Sequence, residues 1–400
     1  MASRSALRLA IDGGSPVRAT LLPYAHQVID DTDIAAVTEA LRSDWLTTGP
    51  RVPAFERELE AATGARHAVA FSSGTAALHG ATVVAGLGPG DEAITTPMTF
   101  VATANAVLYA GAIPVFADVG PDDLLISPEA VAAAVGPATR AIIAVDYAGH
   151  PADYDALRAI ADDAPDGPLV VIADAAHSLG ATLDGRAVGT LADLTVLSLH
   201  PAKILTTGEG GAVLTERDDF AERLRRFRNH GIESELAARR DWTYAMVELG
   251  YNYRLTDIAA ALGSAQIARL GTFLARRREL AARYLERLAD HPILELPAVA
   301  PGADPAWHFL FARLRMDRLR VDRAGVYTAL RAEYIGVNVH YIPVHTHPYY
   351  RERFPGLSFP VAEAAYERLL TLPLHAGMTD ADLEDVVTAL DKVAATYAIG

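Results

Sequence analysis

The sequence predicts an α/β fold: a large domain built on a mostly parallel sheet, followed by a smaller C-terminal α+β domain. Three observations carry this. Short continuous apolar runs, such as HAVAF (67–71) and PLVVIADAAH (168–177), recur between stretches whose apolar residues follow the helical period. Strands apolar on both faces belong to a sheet that helices cover on both sides. Near residue 295 the alternation ends in a Pro/Gly/Ala-rich joint, PAVAPGADPAWH (297–308), and a different texture follows. A chain of 400 residues also exceeds what one core usually organises, so length alone points to two domains.

Residues 34–42 and 53–62 read as amphipathic helices. The run 67–71 reads as a strand that stops at Ser72-Ser73-Gly74-Thr75, with a helix over 76–87 and a Gly-Pro-Gly turn behind it. Then come strand 93–97, helix 99–111, strand 113–119, strand 139–149 and a helix over 151–164. Three further strands are expected at 168–177, 194–200 and 210–216, and helices over 217–229 and 255–288. Beyond the joint lie an apolar run (309–314), a helix (323–333), a strand-like GVNVHYI (336–342) and a last helix (382–397). There is no internal repeat and no low-complexity tract.

Composition removes several function classes. Apolar residues at 51% and charged residues at 21% exclude a disordered chain. A formal charge of −15 argues against a nucleic-acid partner, which calls for a basic face. With no cysteine there is no disulfide framework, thiolate metal site or cysteine nucleophile. Polar residues interrupt every apolar stretch before it reaches membrane-spanning length, so no membrane partner is expected. The start, MASRSALRLAIDGGSPVRA, lacks the apolar segment of a signal peptide, and a cytoplasmic location is the expectation.

Three local patterns could carry chemistry. Lys203 lies in SLHPAKILTTGEGG (198–211), after a strand ending in Ser198 and His200 and before a glycine-rich turn. Most lysines are solvated surface charges. One held between apolar residues and a tight turn is desolvated; its pKa falls and its amine can form a Schiff base. Asp174, in VVIADAAHSLGA (170–181), ends a buried strand, the edge where open α/β sheets bind ligands. Such a carboxylate needs a cationic partner; a plain helix cap is the competing reading. FSSGTAALHGA (71–81) places free backbone N–H groups at a helix start, where Gly74 lets a phosphate approach. An ordinary cap by Ser73 or Thr75 is the competing reading there. An amine, a strand-end carboxylate and a phosphate-binding helix start are together what pyridoxal phosphate needs: one holds the aldehyde, one keeps the pyridine nitrogen protonated, one holds the phosphate.

With those residues in view, the chain resembles the DegT/DnrJ/EryC1/StrS aminotransferase family from about Tyr24 to the C-terminus. The motifs are WLTTGP (45–50), SSGTAAL (72–78), TTPMTFVATANAV (95–107), ADAAHSLGA (173–181), SLHPAKILTTGEGG (198–211), RNHGI (228–232) and GYNYRLTDIAAALG (250–263). The pairing of FVATAN with VDYAG (145–149) and VHYIPVHTHPYYRERF (339–354) is most similar to the branch of the pseudaminic-acid pathway. The resemblance implies an aspartate-aminotransferase-like, fold type I pyridoxal-phosphate enzyme. Residues 1–275 would form an N-terminal arm and the large cofactor-binding domain, and 276–400 the small domain. Lys203 matches the Schiff-base and proton-shuttling lysine, Asp174 the partner of the pyridine nitrogen, and His177 the residue beside the phenolic oxygen. Phe100 matches the aromatic that stacks on the ring, with core packing as the plain reading. Gly74, Thr75 and Ser198 match phosphate contacts. Asn252 matches a residue reaching in from a second subunit, which implies a homodimer with shared sites. Substrate contacts are implied at Tyr24, Asp44, Trp45, Leu46, Thr47, Asn252, His340, Tyr341, Ile342 and Pro343; packing is the plain reading for Trp45 and Tyr341. Ala173 departs from the pattern, since many members carry an acid there.

The implied activity is ping-pong transfer of an amino group from L-glutamate, through pyridoxamine 5'-phosphate, to C4 of a nucleotide-linked 4-keto-6-deoxy sugar. In that branch the sugar is UDP-2-acetamido-2,6-dideoxy-β-L-arabino-hex-4-ulose. A dTDP-linked sugar aminated at C3 or C4 is the alternative, as is a pyridoxamine-dependent dehydratase; that branch replaces the lysine with histidine, whereas Lys203 is present. A non-catalytic scaffold on the same fold fits poorly with an intact Lys203, Asp174 and His177. His340, His345 and His347 fall in a proline-broken segment without metal-site spacing, so no metal is expected. The GxGxG of GLGPGDE precedes a strand instead of following one, which is the wrong context for a dinucleotide.

Overall fold

The computed structural model describes residues 8–233 and 242–399; the first seven residues of the expected N-terminal arm lie outside them. Its main sheet has seven strands: β1 (His67–Phe71), β2 (Glu92–Thr95), β3 (Ile113–Phe116), β4 (Thr139–Val145), β5 (Val170–Asp174), β8 (Leu194–Ser198) and β9 (Gly211–Thr215), in the order β1-β9-β8-β5-β4-β2-β3. The pairs from β3 to β8 are parallel, and β9 alone runs against its two neighbours. The hairpin β6 (Thr182–Leu183) and β7 (Arg186–Ala187) pairs with β11 (Ala303–Asp304). A separate three-stranded sheet in the C-terminal part of the chain is β10 (Leu294–Glu295), β12 (Leu310–Leu314) and β13 (Leu369–Leu372), all antiparallel.

The main sheet is apolar on both faces because helices cover both. Ile142, Ala144, Val171 and Ala173 enter one core, while Ala141, Ile143 and Ile172 enter the other. Successive strand residues point to opposite faces, so a doubly covered strand must be apolar throughout. The covering helices are α2 (Arg51–Thr63), α3 (Gly74–Val84), α4 (Ala102–Tyr109), α5 (Pro128–Ala134), α6 (Tyr154–Asp162) and α7 (Asp218–Phe227), with α1 (Asp31–Arg42) packed beside α8 (Asp257–Ile267). Their starts are written in the sequence: Asp30, Ser73, Ser127 and Asp153 each accept a backbone N–H as N-caps.

The helix expected over 255–288 is two, α8 and α9 (Leu270–Arg287), bent by 58°. No proline marks the break. Arg269 holds it, by pairing with Asp30 and Asp33 of the segment that opens α1. No single helix among the described residues is long and apolar enough to cross a membrane.

A further core, apart from the two on the main sheet, collects Leu280, Leu310, Leu314, Leu330, Leu372 and Leu390, from α9, β12, α10 (Arg323–Ala332), β13 and α13 (Asp380–Tyr397). Leu9 and Leu22 of the N-terminal segment join it. Between α10 and β13 lie α11 (Pro348–Arg353) and α12 (Pro360–Arg368). The expected strand 336–342 is not formed. Asn338 makes one isolated bridge to Thr371, and the neighbour of β12 in the small sheet is β13. GVNVHYI alternates like a strand but leaves the sheet after that bridge to wall the cavity described next.

Candidate active site

The carboxyl ends of β4, β5 and β8 open into a cavity of about 540 Å³. Strand ends contribute Val145, Asp174 and Ser198; the start of α3 contributes Gly74 and Thr75; Lys203 and Phe100 stand in connecting segments; Tyr24, His308, His340 and Tyr341 close it. This is the edge at which open α/β sheets bind ligands.

Lys203 follows β8 in a tight turn, its N–H donating to the His200 carbonyl at 2.8 Å. Its ammonium makes no hydrogen bond to a described residue. Burial disfavours the charged form and brings its pKa down to about 8, with the Asp174 carboxylate opposing the fall. The amine is therefore far easier to deprotonate than that of an exposed lysine, although the ammonium still prevails at neutral pH.

Asp174 is 5% exposed. One oxygen accepts from the Thr103 hydroxyl at 2.7 Å, the other from the Ala176 N–H at 3.2 Å. Both donors are neutral, and burial pushes its pKa above the ordinary carboxylate value. It caps no helix; it ends β5 and a turn follows. A buried carboxylate with neutral partners is what a cationic N–H in the cavity would complete.

His177, three residues on, is buried, and its Nε2 shares a 3.0 Å hydrogen bond with the Tyr341 hydroxyl. Its Nδ1 is buried without a partner among the described residues. The ring stacks on His308, with centroids 4.5 Å apart. Burial, with Lys203 and His340 adding to it, holds His177 well below the usual histidine range, so it is neutral. His340 is pushed down to about 3 by burial and Lys203, and bonds the Thr371 hydroxyl at 2.9 Å. The second clustered histidine, His345, instead bonds Glu363 at 2.9 Å, while His347 directly precedes the helix that starts at Pro348.

Ser73 caps α3 by accepting from Ala76, which leaves the N–H groups of Gly74 and Thr75 at the cavity wall. Gly74 permits the close approach there. A Cβ on it would stand 3.0 Å from Cβ and 3.1 Å from Oγ of Ser198. Gly211 is required beside it, since its Cβ would meet the Ser73 carbonyl at 2.6 Å. The helix start is thereby held against the end of β8, where it can receive an anion. Phe100 is 57% exposed, so its ring packs in no core and faces the cavity. An amine without a hydrogen bond, a buried carboxylate bonded only by neutral donors, a helix start and an exposed ring form a donor set that fits pyridoxal phosphate.

Other expected site residues are not brought to this cavity within one chain. Asp44, Trp45, Leu46 and Thr47 are exposed, Trp45 at 50%, and so is Asn252, which bridges to Asn229. Ile342 is exposed and Pro343 buried; neither lines the cavity. Conversely, Thr103, Thr99 and His308 belong to it and were not singled out. Thr99 and Thr103 stand one helical turn apart, with hydroxyls 2.8 Å from each other, a spacing that could have flagged them. His308 carried no local signal, being delivered by the joint between domains.

Fold and site together define the class: a doubly covered α/β sheet whose strand-end cavity is furnished for pyridoxal phosphate. The chain belongs to the DegT/DnrJ/EryC1/StrS aminotransferase family, whose pattern matches residues 27–391. It is 40% identical over 379 residues to the spore coat polysaccharide biosynthesis protein SpsC of Bacillus subtilis (strain 168), covering 93% of this chain and 97% of that one. It is similar to Helicobacter pylori PseC, an aminotransferase involved in the biosynthesis of pseudoaminic acid, with 29% identity, a TM-score of 0.88, and coverage of 94% and 100%. The sugar aminotransferase Spr1654 of Streptococcus pneumoniae, solved in its PMP-form, also matches, with 29% identity, a TM-score of 0.88, and coverage of 94% and 99%. Spr1654 has been solved in a PLP-form as well.

Proposed function

We propose that this chain is a pyridoxal-5'-phosphate-dependent aminotransferase that moves the amino group of L-glutamate to C4 of a nucleotide-linked 4-keto-6-deoxy sugar, with UDP-2-acetamido-2,6-dideoxy-β-L-arabino-hex-4-ulose the first candidate. The observation that carries the reading is the pairing of Lys203 and Asp174 across one cavity: an amine without a hydrogen bond and a buried carboxylate whose hydrogen-bond donors are all neutral. The likeness to PseC supports the choice of sugar.

Lys203 would hold the cofactor's aldehyde and Asp174 its ring nitrogen. The N–H groups of Gly74 and Thr75, with the Ser198 hydroxyl, would hold its phosphate, and Phe100 would lie on its ring. The bound cofactor supplies an electron sink that acidifies the carbon next to the reacting nitrogen. Lys203, released and partly neutral, takes and returns that proton. Neutral His177, fixed by Tyr341, offers a hydrogen bond without adding charge. His308 and Tyr341 shield the reacting atoms from water on the small-domain side.

The active unit we propose is a homodimer. Asn252 and the 44–47 stretch are exposed, and so are the apolar side chains of Trp242, Met246 and Leu249, at 89, 61 and 72%. Contact with a second copy would cover that apolar surface and carry Asn252 to the partner's cavity. Mixing Lys203→Ala with Asn252→Ala subunits should restore part of the activity. No recovery in verified heterodimers removes the shared site.

Borohydride reduction followed by peptide mapping tests the core of the reading: the pyridoxyl group should be found on Lys203 and be lost in Lys203→Ala. Glutamate alone should release about one 2-oxoglutarate per site, the mark of a two-stage reaction. A panel of UDP- and dTDP-linked 4-keto-6-deoxy sugars, read by mass and NMR, identifies the acceptor. Cofactor attached elsewhere, or no aminated sugar from any member, ends the proposal.

A further inference from the structure

Helix α9 serves both cores. Leu270 and Leu274 pack on the main sheet, while Leu280, Ala281 and Tyr284 pack in the small domain. Between them stands Arg277, 1% exposed. Its guanidinium meets no carboxylate among the described residues; every hydrogen bond goes to a backbone carbonyl. Nη1 donates to His308 and Leu374 at 3.0 Å each and to Trp307 at 3.2 Å, and Nη2 donates to Lys203 at 3.4 Å. A buried cation with only neutral acceptors is expensive. Burial alone lowers its pKa to about 10, so it remains charged. An apolar side chain of similar length would join the two cores without that cost.

What an apolar side chain cannot do is hold together four carbonyls from three separate segments. Two of those carbonyls belong to cavity residues on opposite sides of the domain junction: Lys203 from the main sheet's edge, and His308, whose ring stacks on His177. We infer that Arg277 is a positioning residue, which sets the Lys203 amine at a fixed distance from the His308–His177 stack. The inference rests on the aminotransferase reading and adds to it a group that touches neither cofactor nor substrate. A flexible point-charge lysine cannot span the same set of acceptors, whereas the planar fork can.

The test uses the holoenzymes of wild type, Arg277→Met and Arg277→Lys. Borohydride mapping comes first. If the wild type fails to carry the cofactor on Lys203, the aminotransferase reading falls. If all three carry it there, the inference is tested separately by the kinetics of the glutamate half-reaction and by the pH midpoint of the cofactor's visible absorbance. The expected result for Arg277→Met is a kcat lower by roughly 100-fold, the usual scale for a catalytic group displaced by about 1 Å. KM for L-glutamate should stay within about threefold, because substrate binding is left alone, and the absorbance midpoint should shift, because the surroundings of the Lys203 nitrogen change when it moves. Arg277→Lys should fall between the two. A purely structural role lowers Tm but leaves kcat and the midpoint of folded molecules at wild-type values, and that result overturns the inference. Should Arg277→Met fail to fold, wild-type kcat and midpoint in Arg277→Lys overturn it equally.

Discussion

Thr103 donates its hydroxyl to Oδ2 of Asp174 at 2.7 Å, tying the first turn of α4 to the end of β5. The proton committed to Asp174 leaves Thr103 free to accept from Thr99, 2.8 Å away, so two hydroxyls in series face one buried carboxylate. This bond pulls the Asp174 pKa down, against the larger upward push of burial. Thr103→Val keeps the shape and removes the donor. A hydrogen bond to a charged group contributes about 1.5–3 kcal/mol, so kcat/KM should fall about 10- to 100-fold. The acid limb of the pH–rate profile should move to higher pH. A limb that stays in place would mean that Thr103 does not act through Asp174.

Much of this was legible in the sequence because it is local. The doubly apolar strands, the Ser73 cap, the lysine between a strand and a glycine turn, and the aspartate ending a buried run all depend on neighbours within a few residues. What escaped depends on contacts far along the chain. The helical period runs unbroken through Ala268 and Arg269, and only pairing with Asp30 and Asp33 bends it. GVNVHYI has the alternation of a strand, but tertiary packing spends it on a cavity wall. LLTL, the true neighbour of β12, is hidden because it follows α12 without a turn. His308 and Arg277 are ordinary residues of a joint and a helix until the two domains bring them to Lys203.

The helix start lies tight against Ser198. In Gly74→Ala the new Cβ would stand 3.0 Å from Cβ of Ser198, closer than ordinary packing, and the expected relief is a shift of α3 away from β8 by a few tenths of an ångström. The N–H groups that would hold a phosphate move with it. Affinity for pyridoxal phosphate should drop by roughly tenfold or more, about 1.4 kcal/mol, while Tm of the cofactor-free protein changes little. Equilibrium dialysis gives the affinity; an unchanged value would show that the phosphate sits elsewhere.

The N-terminal segment is pinned to the small domain by a buried ion pair. Glu333, fully buried, accepts from Lys392 Nζ at 2.6 Å and from the N–H groups of Ala10 and Val17 at 2.8 Å each. Lys392→Met strands a buried carboxylate and should destabilise the fold by about 3–5 kcal/mol, the usual cost of breaking such a pair from one side. Adding Glu333→Gln removes the stranded charge and should return part of the loss. Chemical denaturation of the single and double variants decides it: a double variant no more stable than the single would show that the charge is not the source of the cost.

Asp146 gives the fold a pH dependence whose sign can be worked out. It directly follows β4 at no exposure, accepting from Ser178 at 2.5 Å, Tyr154 at 2.7 Å and the Ala152 N–H at 3.0 Å. Burial outweighs these donors and raises its pKa from 3.8 to about 6. Between about pH 4 and pH 6 the folded chain therefore keeps a proton that the unfolded chain has released. Raising the pH through that window draws the proton off the folded state and lowers stability, by up to about 3 kcal/mol. Above about 6 the contribution is constant, and below about 4 both states are protonated. Asp146→Asn cannot titrate, so its Tm relative to wild type should rise across this window and stay level at higher pH. Because Ser178 follows His177 directly, the same hydroxyl links this carboxylate to the turn that carries the histidine. A difference in Tm that is flat from pH 4 to pH 8 would mean that the three donors hold Asp146 at an ordinary pKa and that burial does not govern it.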